Sequence, residues 1–181
     1  LVDLSTDKKV KIAPEYLHEF DRRSRDSKGT FGCILSHITA ISKLPRNQIG
    51  MVIEDDVNFL PLFCSLKREQ DLQKIINQAP DGWHILKLVN TRYASPVDAS
   101  TYTSFIAGTS GHCDWSTAAY LVSPSGIDHL NALTHNGTQV PFVPGANVWA
   151  DDYLYAACKT YNVPETWGLP ILKVKERNQS L

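Results

Sequence analysis

The sequence predicts an α/β protein with a mostly parallel sheet flanked by helices. Segments with a helical period alternate at short range with apolar, strand-like runs. One such run, residues 50–53, passes directly into three consecutive acids, which places polar groups at the end of a strand. The chain of 181 residues is 43% hydrophobic and 20% charged, which suits one globular domain. We therefore expect a single domain over residues 1–181, and the leucine at position 1 fits a fragment or trimmed form of a longer protein.

The first elements follow from apolar spacing and from the residues that interrupt it. Residues 1–4 predict a short strand, and Pro14 is a good first-turn residue for a helix. The clearest helix spans residues 30–44, with Thr30 as its expected N-cap and Pro45 as its stop. Its apolar positions recur at intervals of three and four: Phe31, Ile34, Leu35, Ile38, Ile41 and Leu44. Residues 50–53 then predict a central parallel strand with both faces covered.

The second half of the chain continues the alternation. Ser123 as N-cap and Pro124 at the first helical position predict a helix through about Leu133. Two prolines and two glycines predict a loop over residues 137–147. The remaining expected elements are helices at 62–78 and 150–161 and strands at 83–89, 101–110, 117–123 and 169–175.

Composition and charge exclude several classes of protein. The chain carries 18 basic and 19 acidic residues, whereas nucleic-acid-binding proteins normally have a basic excess or stripe. No apolar run approaches the roughly 18 residues that span a bilayer, and the first residues do not resemble a signal peptide. The cysteines show neither a C-x-x-C motif nor zinc-type spacing, so we expect mostly buried thiols at Cys33, Cys64, Cys113 and Cys158.

The acidic triplet after residues 50–53 is the first candidate site. Glu54, Asp55 and Asp56 repel one another, so a fold that gathers them usually supplies a cation. Hard carboxylate oxygens suit Mg²⁺ or Mn²⁺, which also bridge to phosphate oxygens. The alternative is a solvated acidic turn after a strand.

Four segments, in order along the chain, resemble glycosyltransferase family 25, which includes bacterial lipooligosaccharide galactosyltransferases and animal collagen galactosyltransferases. Its pattern G-x-x-G-C-x-L-S-H, followed by an apolar strand ending in E-D-D-V, is filled throughout residues 29–37 and 54–57. TAAYLVSPSGIDHL and ADDYLY resemble two further family segments, so the similarity covers roughly residues 29–160. The matching positions in those two segments are Tyr120, Ser123, Gly126, Leu130, Asp151 and Leu154.

The resemblance implies a GT-A-type, Rossmann-like fold that binds a nucleotide-sugar, usually UDP-galactose, through Mn²⁺ or Mg²⁺. Asp56 is then the first metal ligand, with Asp55 beside it. The residues expected to contact the ribose, the donor sugar or the metal's surroundings are Glu54, Asp55, Leu4, Ser36 and His37. His37 has an alternative role as a satisfied histidine packed under the site.

The loop before residues 117–123 offers groups for the acceptor. His112, Asp114 and Trp115 could bring an acid and an aromatic ring to a sugar, because apolar sugar faces stack on aromatic rings. The alternative is a core tryptophan beside a solvated aspartate.

An inverting transfer needs a carboxylate opposite the leaving diphosphate, within hydrogen-bond reach of the acceptor hydroxyl. Asp151 and Asp152 are the best candidates, because they open a helix after a loop rich in proline and glycine. Asp114 is the reserve choice. The alternative is that Asp151 and Asp152 only complement the positive end of that helix.

These observations predict a metal-dependent inverting glycosyltransferase that moves galactose from a UDP-sugar to a glycan or lipooligosaccharide hydroxyl. A lipooligosaccharide acceptor would bring the protein to the cytoplasmic face of a membrane, whereas a eukaryotic parent would place it in the secretory lumen. One alternative is a catalytically inactive GT-A-like module that binds a carbohydrate or a partner. The short span between Leu4 and Gly29, compared with the family, favours that alternative, while the intact acidic triplet favours an enzyme. A phosphate-cleaving Mg²⁺ enzyme would share the acidic strand end but leaves the motif on residues 29–37 without an explanation.

Overall fold

The computed structural model describes residues 2–3, 9–16, 27–55, 57–59, 66–88, 101–105, 116–164 and 172–174. Their helices are α1 (Ser27–Ser42), α2 (Leu66–Asn77), α3 (Pro124–Leu133) and α4 (Ala150–Ala156), and a helical turn lies at residues 14–16. Their strands are β1 (Val2–Asp3), β2 (Lys9–Ile12), β3 (Gly50–Ile53), β4 (Val57–Phe59), β5 (Ile85–Lys87), β6 (Thr103–Ser104), β7 (Ala119–Val122), β8 (Gln139–Val140), β9 (Thr160–Asn162) and β10 (Leu172–Val174).

Five of these strands form a mixed sheet in the order β3-β7-β5-β9-β6. β7 runs antiparallel to both β3 and β5, β9 runs parallel to β5, and β6 runs antiparallel to β9. The expectation of a mostly parallel sheet is therefore not confirmed among the described strands. β3 lies at the edge of this sheet of described strands rather than at its centre. The expectation failed because an apolar run shows that a strand is covered, but not where it lies in the sheet or in which direction its neighbour runs.

Two smaller groups of strands accompany the main sheet. β2 pairs with β1 antiparallel and with β8 parallel, while β10 pairs with β4 antiparallel. β8 lies inside the segment expected to be only a loop, so that expectation is wrong at Gln139–Val140. The helix expected to reach residue 161 ends at Ala156, and β9 follows it.

The α1 periodicity is confirmed by burial, although the helix begins earlier than expected. Phe31, Ile34, Ile38 and Ile41 are all buried. Because α1 starts at Ser27, Thr30 lies inside its first turn and is not the N-cap. With α3 and α4, this helix contributes to the larger hydrophobic cluster, which also takes Val52, Ile85, Tyr120 and Val122 from the sheet.

The opposite face of the sheet carries a second, smaller cluster. Ile75 of α2 packs there with Leu86 and Leu121 of neighbouring strands. Side chains along β5 and β7 therefore alternate between the two clusters, as the pleat of a strand requires. The chain thus builds one sheet with an apolar cover on each side.

The expectation of buried thiols is only partly met. Among the described cysteines, Cys33 is exposed and Cys158 is partly buried, and both are free thiols. Cys64 and Cys113 lie outside the described residues. Within the described part of the chain, no helix combines the length and apolar character needed to cross a bilayer.

Candidate functional site

The candidate site lies where the carboxyl ends of β3 and β5 meet the amino end of β7. The backbone N–H of Glu54, just beyond β3, donates to the carbonyl of Ala118 at 2.9 Å. The N–H of Leu88, just beyond β5, donates to the carbonyl of Ala119 at 3.0 Å. The sheet pairing therefore continues past the strands and fixes the backbone from which Glu54 projects.

The Glu54 carboxylate is held from two directions. Its Oε1 accepts a hydrogen bond from the Thr117 hydroxyl, which comes from the residues leading into β7. The same oxygen lies 3.2 Å from Nε2 of His37 on α1. The carboxylate remains 31% exposed, so it is oriented by the protein but still accessible to a ligand.

His37 is buried between the sheet and α1, and both of its ring nitrogens have partners. Nδ1 lies 2.9 Å from the Tyr120 hydroxyl, and Nε2 faces Glu54. Burial by itself lowers the pKa of His37, but hydrogen bonds to Cys33 and Glu54 and their charges outweigh it and raise the pKa to about 9. At neutral pH the ring is therefore an imidazolium that donates to both Tyr120 and Glu54.

Tyr120 links this pair to α4. Burial first, and the charge of Glu54 second, raise its pKa well above the usual value, so its phenol stays protonated. Its ring lies edge-on to the ring of Tyr155, with centroids 6.2 Å apart. The Tyr155 hydroxyl in turn donates to the carbonyl of Ser116 at 2.8 Å.

Asp151 anchors the backbone that precedes β7. Its Oδ2 accepts from the N–H of Ser116 at 3.1 Å, and its Oδ1 accepts from the N–H of Asp152 at 3.0 Å. Ser116 has a φ of 112°, a backbone conformation that residues other than glycine rarely adopt. Asp151 accepts the N–H of Ser116 and Tyr155 donates to its carbonyl, so these two side chains hold that unusual conformation in place.

The remaining residues singled out from the sequence are spread more widely. Ser36 is exposed, and its hydroxyl donates to the Gly32 carbonyl within α1. Asp55 is exposed immediately after Glu54. Oδ2 of Asp152 accepts from the side-chain amide of Asn147 at 2.7 Å. The others, Leu4, Asp56, His112, Asp114 and Trp115, lie outside the described residues.

Sequence reasoning missed Lys87, which the structure brings to the same region. Lys87 ends β5, is completely buried, and pairs in register with Tyr120. Its Nζ lies 4.6 Å from the centre of the Tyr155 ring and 5.6 Å from that of Phe105, within the range of cation–π attraction. A single lysine inside the apolar run WHILKLV was the available signal.

Two sets of donors here could bind a metal. The ligand atoms of Cys33, His37 and Glu54 lie within 4.8 Å of one another. A metal here would have to displace a proton from the His37 imidazolium and break its hydrogen bond to Tyr120 or Glu54, so this set is the weaker candidate. The exposed Asp55 carboxylate, beside Glu54 at the strand end, offers the hard oxygen ligand that Mn²⁺ or Mg²⁺ requires.

The fold and the site together define a mixed α/β protein with an oriented carboxylate and an exposed acid at one edge of its sheet. Comparisons with protein-family models, with characterised proteins and with solved structures found no match to the chain. The motifs of the sequence and the geometry of the described residues are therefore the observations that bear on function.

Proposed function

We propose that the protein is a metal-dependent inverting glycosyltransferase that transfers a sugar, galactose in the first instance, from a UDP-sugar to a glycan or lipooligosaccharide hydroxyl. One observation carries this proposal. Residues from three separate motif segments, His37, Glu54 and Tyr120, form one continuous hydrogen-bonded group at the edge of the sheet. A chance resemblance spread over distant segments gives no reason for those particular side chains to meet.

The acidic strand end supplies the groups for the donor. Asp55 and Asp56 would hold Mn²⁺ or Mg²⁺, and the bound metal would neutralise the charge that develops on a leaving diphosphate. Glu54 contacts the ribose or the donor sugar, in the orientation set by the Thr117 hydroxyl and the His37 imidazolium. His37 is thus a positioning residue, since it acts on the ligand through Glu54.

Asp151 acts as the base that accepts the proton of the acceptor hydroxyl. Its two carboxylate oxygens each accept one backbone N–H, and a carboxylate has about four lone-pair sites, so acceptor capacity remains. The same two bonds fix the direction of the carboxylate, which a base needs if it is to meet the hydroxyl in a defined geometry.

A second candidate is an inactive module with the same fold that binds a carbohydrate or a partner. The hydrogen bonds to Glu54 and Asp151 are consistent with the inactive module, because each bond could stabilise the fold without any part in catalysis. The two candidates differ in what the acids do when a donor is present, and this difference can be measured.

The test is calorimetric titration with UDP, in Mn²⁺ and in EDTA, together with an assay of UDP-galactose hydrolysis. The enzyme should bind UDP at least tenfold more tightly with Mn²⁺ and should hydrolyse the donor slowly. Asp151→Asn should keep Mn²⁺-dependent UDP binding but lose hydrolysis, whereas the matched control Asp128→Asn, an exposed acid on α3, should keep both. Equal UDP affinity in EDTA would remove the metal from the proposal. Mn²⁺-dependent binding without any hydrolysis in the unaltered protein would favour the inactive module.

A further inference from the structure

Three side chains of types that bind metals also meet at the end of the sheet opposite Glu54, where β5 and β9 begin. His84, His129 and Cys158 each offer one ligand atom, and these atoms lie within 4.8 Å of one another. They are far apart in the sequence, so spacing gives no sign of the group. Nothing in the proposed glycosyltransferase reaction uses them.

The parallel pairing of β5 and β9 creates this group. Because Ile85 pairs with Thr160, the residues before the two strands are neighbours, and the N–H of His84 donates to the carbonyl of Lys159 at 2.9 Å. Cys158 precedes Lys159, so its thiol lies at the same end of the sheet. The start of α3 is bound here as well, since the N–H of Ser123 donates to the His84 carbonyl at 2.9 Å, and this helix carries His129.

His129 is oriented in the way that metal-binding histidines usually are. Its Nε2 lies 2.8 Å from the carbonyl oxygen of Ala157, so Nε2 carries the hydrogen and the lone pair of the neutral ring is on Nδ1. A backbone carbonyl that accepts the second ring N–H fixes the tautomer and increases the basicity of the coordinating nitrogen.

His84 lies against the ring of His129 and next to Lys159. Burial, and then the charges of His129 and Lys159, lower its pKa. The two imidazole rings lie with their centroids 4.8 Å apart. A cation shared by the two rings would use the lone pair of each, and at His84 it would replace the weak hydrogen bond, 3.4 Å long, that Nδ1 accepts from the N–H of Lys159.

We propose that His84, His129 and Cys158 bind Zn²⁺, with a fourth, open position for water or a ligand. Two imidazoles and a thiolate are a ligand set that zinc prefers, and three protein ligands with one open position occur in zinc sites. Bond lengths of about 2.0 to 2.3 Å place tetrahedral ligand atoms roughly 3.3 to 3.7 Å apart, so the side chains need to close by up to about 1.5 Å. Exposed His129 can make part of that movement by tilting its ring about the hydrogen bond from Nε2 to the Ala157 carbonyl.

Binding replaces the thiol proton of Cys158. Burial raises the pKa of Cys158 above its usual value, so the metal-free protein carries a thiol at neutral pH. When Zn²⁺ binds, the S–H bond breaks, the sulfur–zinc bond forms and one proton is released to solvent. The ligand chemistry also separates this site from the oxygen ligands at Asp55 and Asp56, which suit harder cations.

The test uses the metal alone, with no nucleotide, so that its result does not depend on the proposed activity. Zn²⁺ affinity is measured by competition with a chromophoric chelator, and Co²⁺ is titrated as a coloured replacement that shows a sulfur-to-metal charge-transfer band. Loss of a ligand's hydrogen-bond partner typically lowers metal affinity 10- to 100-fold, and removal of the ligand itself should lower Zn²⁺ affinity by at least as much. We expect that loss in His129→Gln and Cys158→Ser, and disappearance of the Co²⁺ band in Cys158→Ser.

Three further variants make the result specific. Cys33→Ser, at the other described free thiol, should keep the Co²⁺ band, and His135→Gln, an exposed histidine beyond α3, should keep full Zn²⁺ affinity. Lys159→Gln should tighten Zn²⁺ binding by roughly twofold or more, because it removes a positive charge from beside the bound cation. This variant also decides the question if Cys158→Ser does not fold. Absence of the band in the unaltered protein, its loss in Cys33→Ser, or unchanged affinity in both His129→Gln and Lys159→Gln would overturn the proposal.

Discussion

At the scale of single residues, the contacts of His37 with Cys33 and Glu54 make the stability of the protein depend on pH. The pKa of His37 is about 9 in the folded protein and about 6.5 in an unfolded chain, where the ring has no partners. A raised pKa means that folding favours the protonated ring. This contribution is complete below about pH 6.5 and is lost as the pH rises toward 9, and it amounts to as much as about 3 kcal/mol.

We therefore predict that Glu54→Gln lowers the pKa of His37, because the amide removes the negative charge that faces Nε2. Titration of the His37 ring by NMR should give a pKa of about 9 in the unaltered protein and a clearly lower one in the variant. The free energy of unfolding should also fall less between pH 6 and pH 9 in Glu54→Gln. Asp55→Asn, which removes the exposed neighbouring charge, is the control and should leave the His37 titration near its original position. A ring that titrates near pH 6.5 in the unaltered protein would contradict the assignment.

At the scale of elements, α3 is the best specified helix of the described chain, and the same contacts attach it to the sheet. Ser123 caps the helix by accepting the N–H of Gly126 at 3.0 Å, and its hydroxyl donates to the carbonyl of Trp83 at 2.7 Å. A Cβ atom at Gly126 would lie 2.5 Å from the carbonyl oxygen of His84, so glycine is required by close approach of the backbone. The glycine of this motif segment thus has a packing reason that is independent of catalysis.

We predict that Ser123→Ala lowers the free energy of unfolding by about 1 to 3 kcal/mol. The substitution removes the helix cap and also leaves the partly buried Trp83 carbonyl without its donor. Ser125→Ala is a matched control, since Ser125 is exposed and contacts the Ser123 hydroxyl from outside, and it should change stability by less than about 0.5 kcal/mol. Chemical denaturation measures both. Equal losses in the two variants would show that the cap is not what stabilises this junction.

At the scale of the whole molecule, the main sheet contributes residues to both hydrophobic clusters, one on each of its faces. Tyr120 and Val122 of β7 belong to one cluster, while Ala119 and Leu121 of the same strand belong to the other. Loss of either cover exposes strands that the remaining cover needs. We therefore expect the two sides to unfold together.

We predict that Ile75→Ala, which truncates the α2 side chain buried in the smaller cluster, lowers the free energy of unfolding by about 2 to 5 kcal/mol. The effect should appear as one earlier transition, identical by far-UV circular dichroism and by tryptophan fluorescence. Ile49→Ala removes an exposed isoleucine and should have an effect below about 0.5 kcal/mol. Separate transitions in Ile75→Ala would show that the two clusters unfold independently.

The sequence by itself determined the local features of this protein. Burial of α1 follows from apolar residues at helical spacing, and the bounds of α3 follow from Ser123 and Pro124, because caps and periodicity act within a few residues. It also placed Glu54 at the end of a strand. Those signals are local, and the structure agrees with them.

Only the tertiary structure decided what depends on pairing between distant segments. It set the antiparallel direction of β7, and it assigned residues 160–162 to a strand rather than to the end of a helix. It brought His37 to Tyr120, 83 residues away, and gathered His84, His129 and Cys158 where two parallel strands begin. Strand pairing and side-chain contacts of this kind depend on the packing of the whole chain, whereas spacing along the sequence reports only neighbours in the same element.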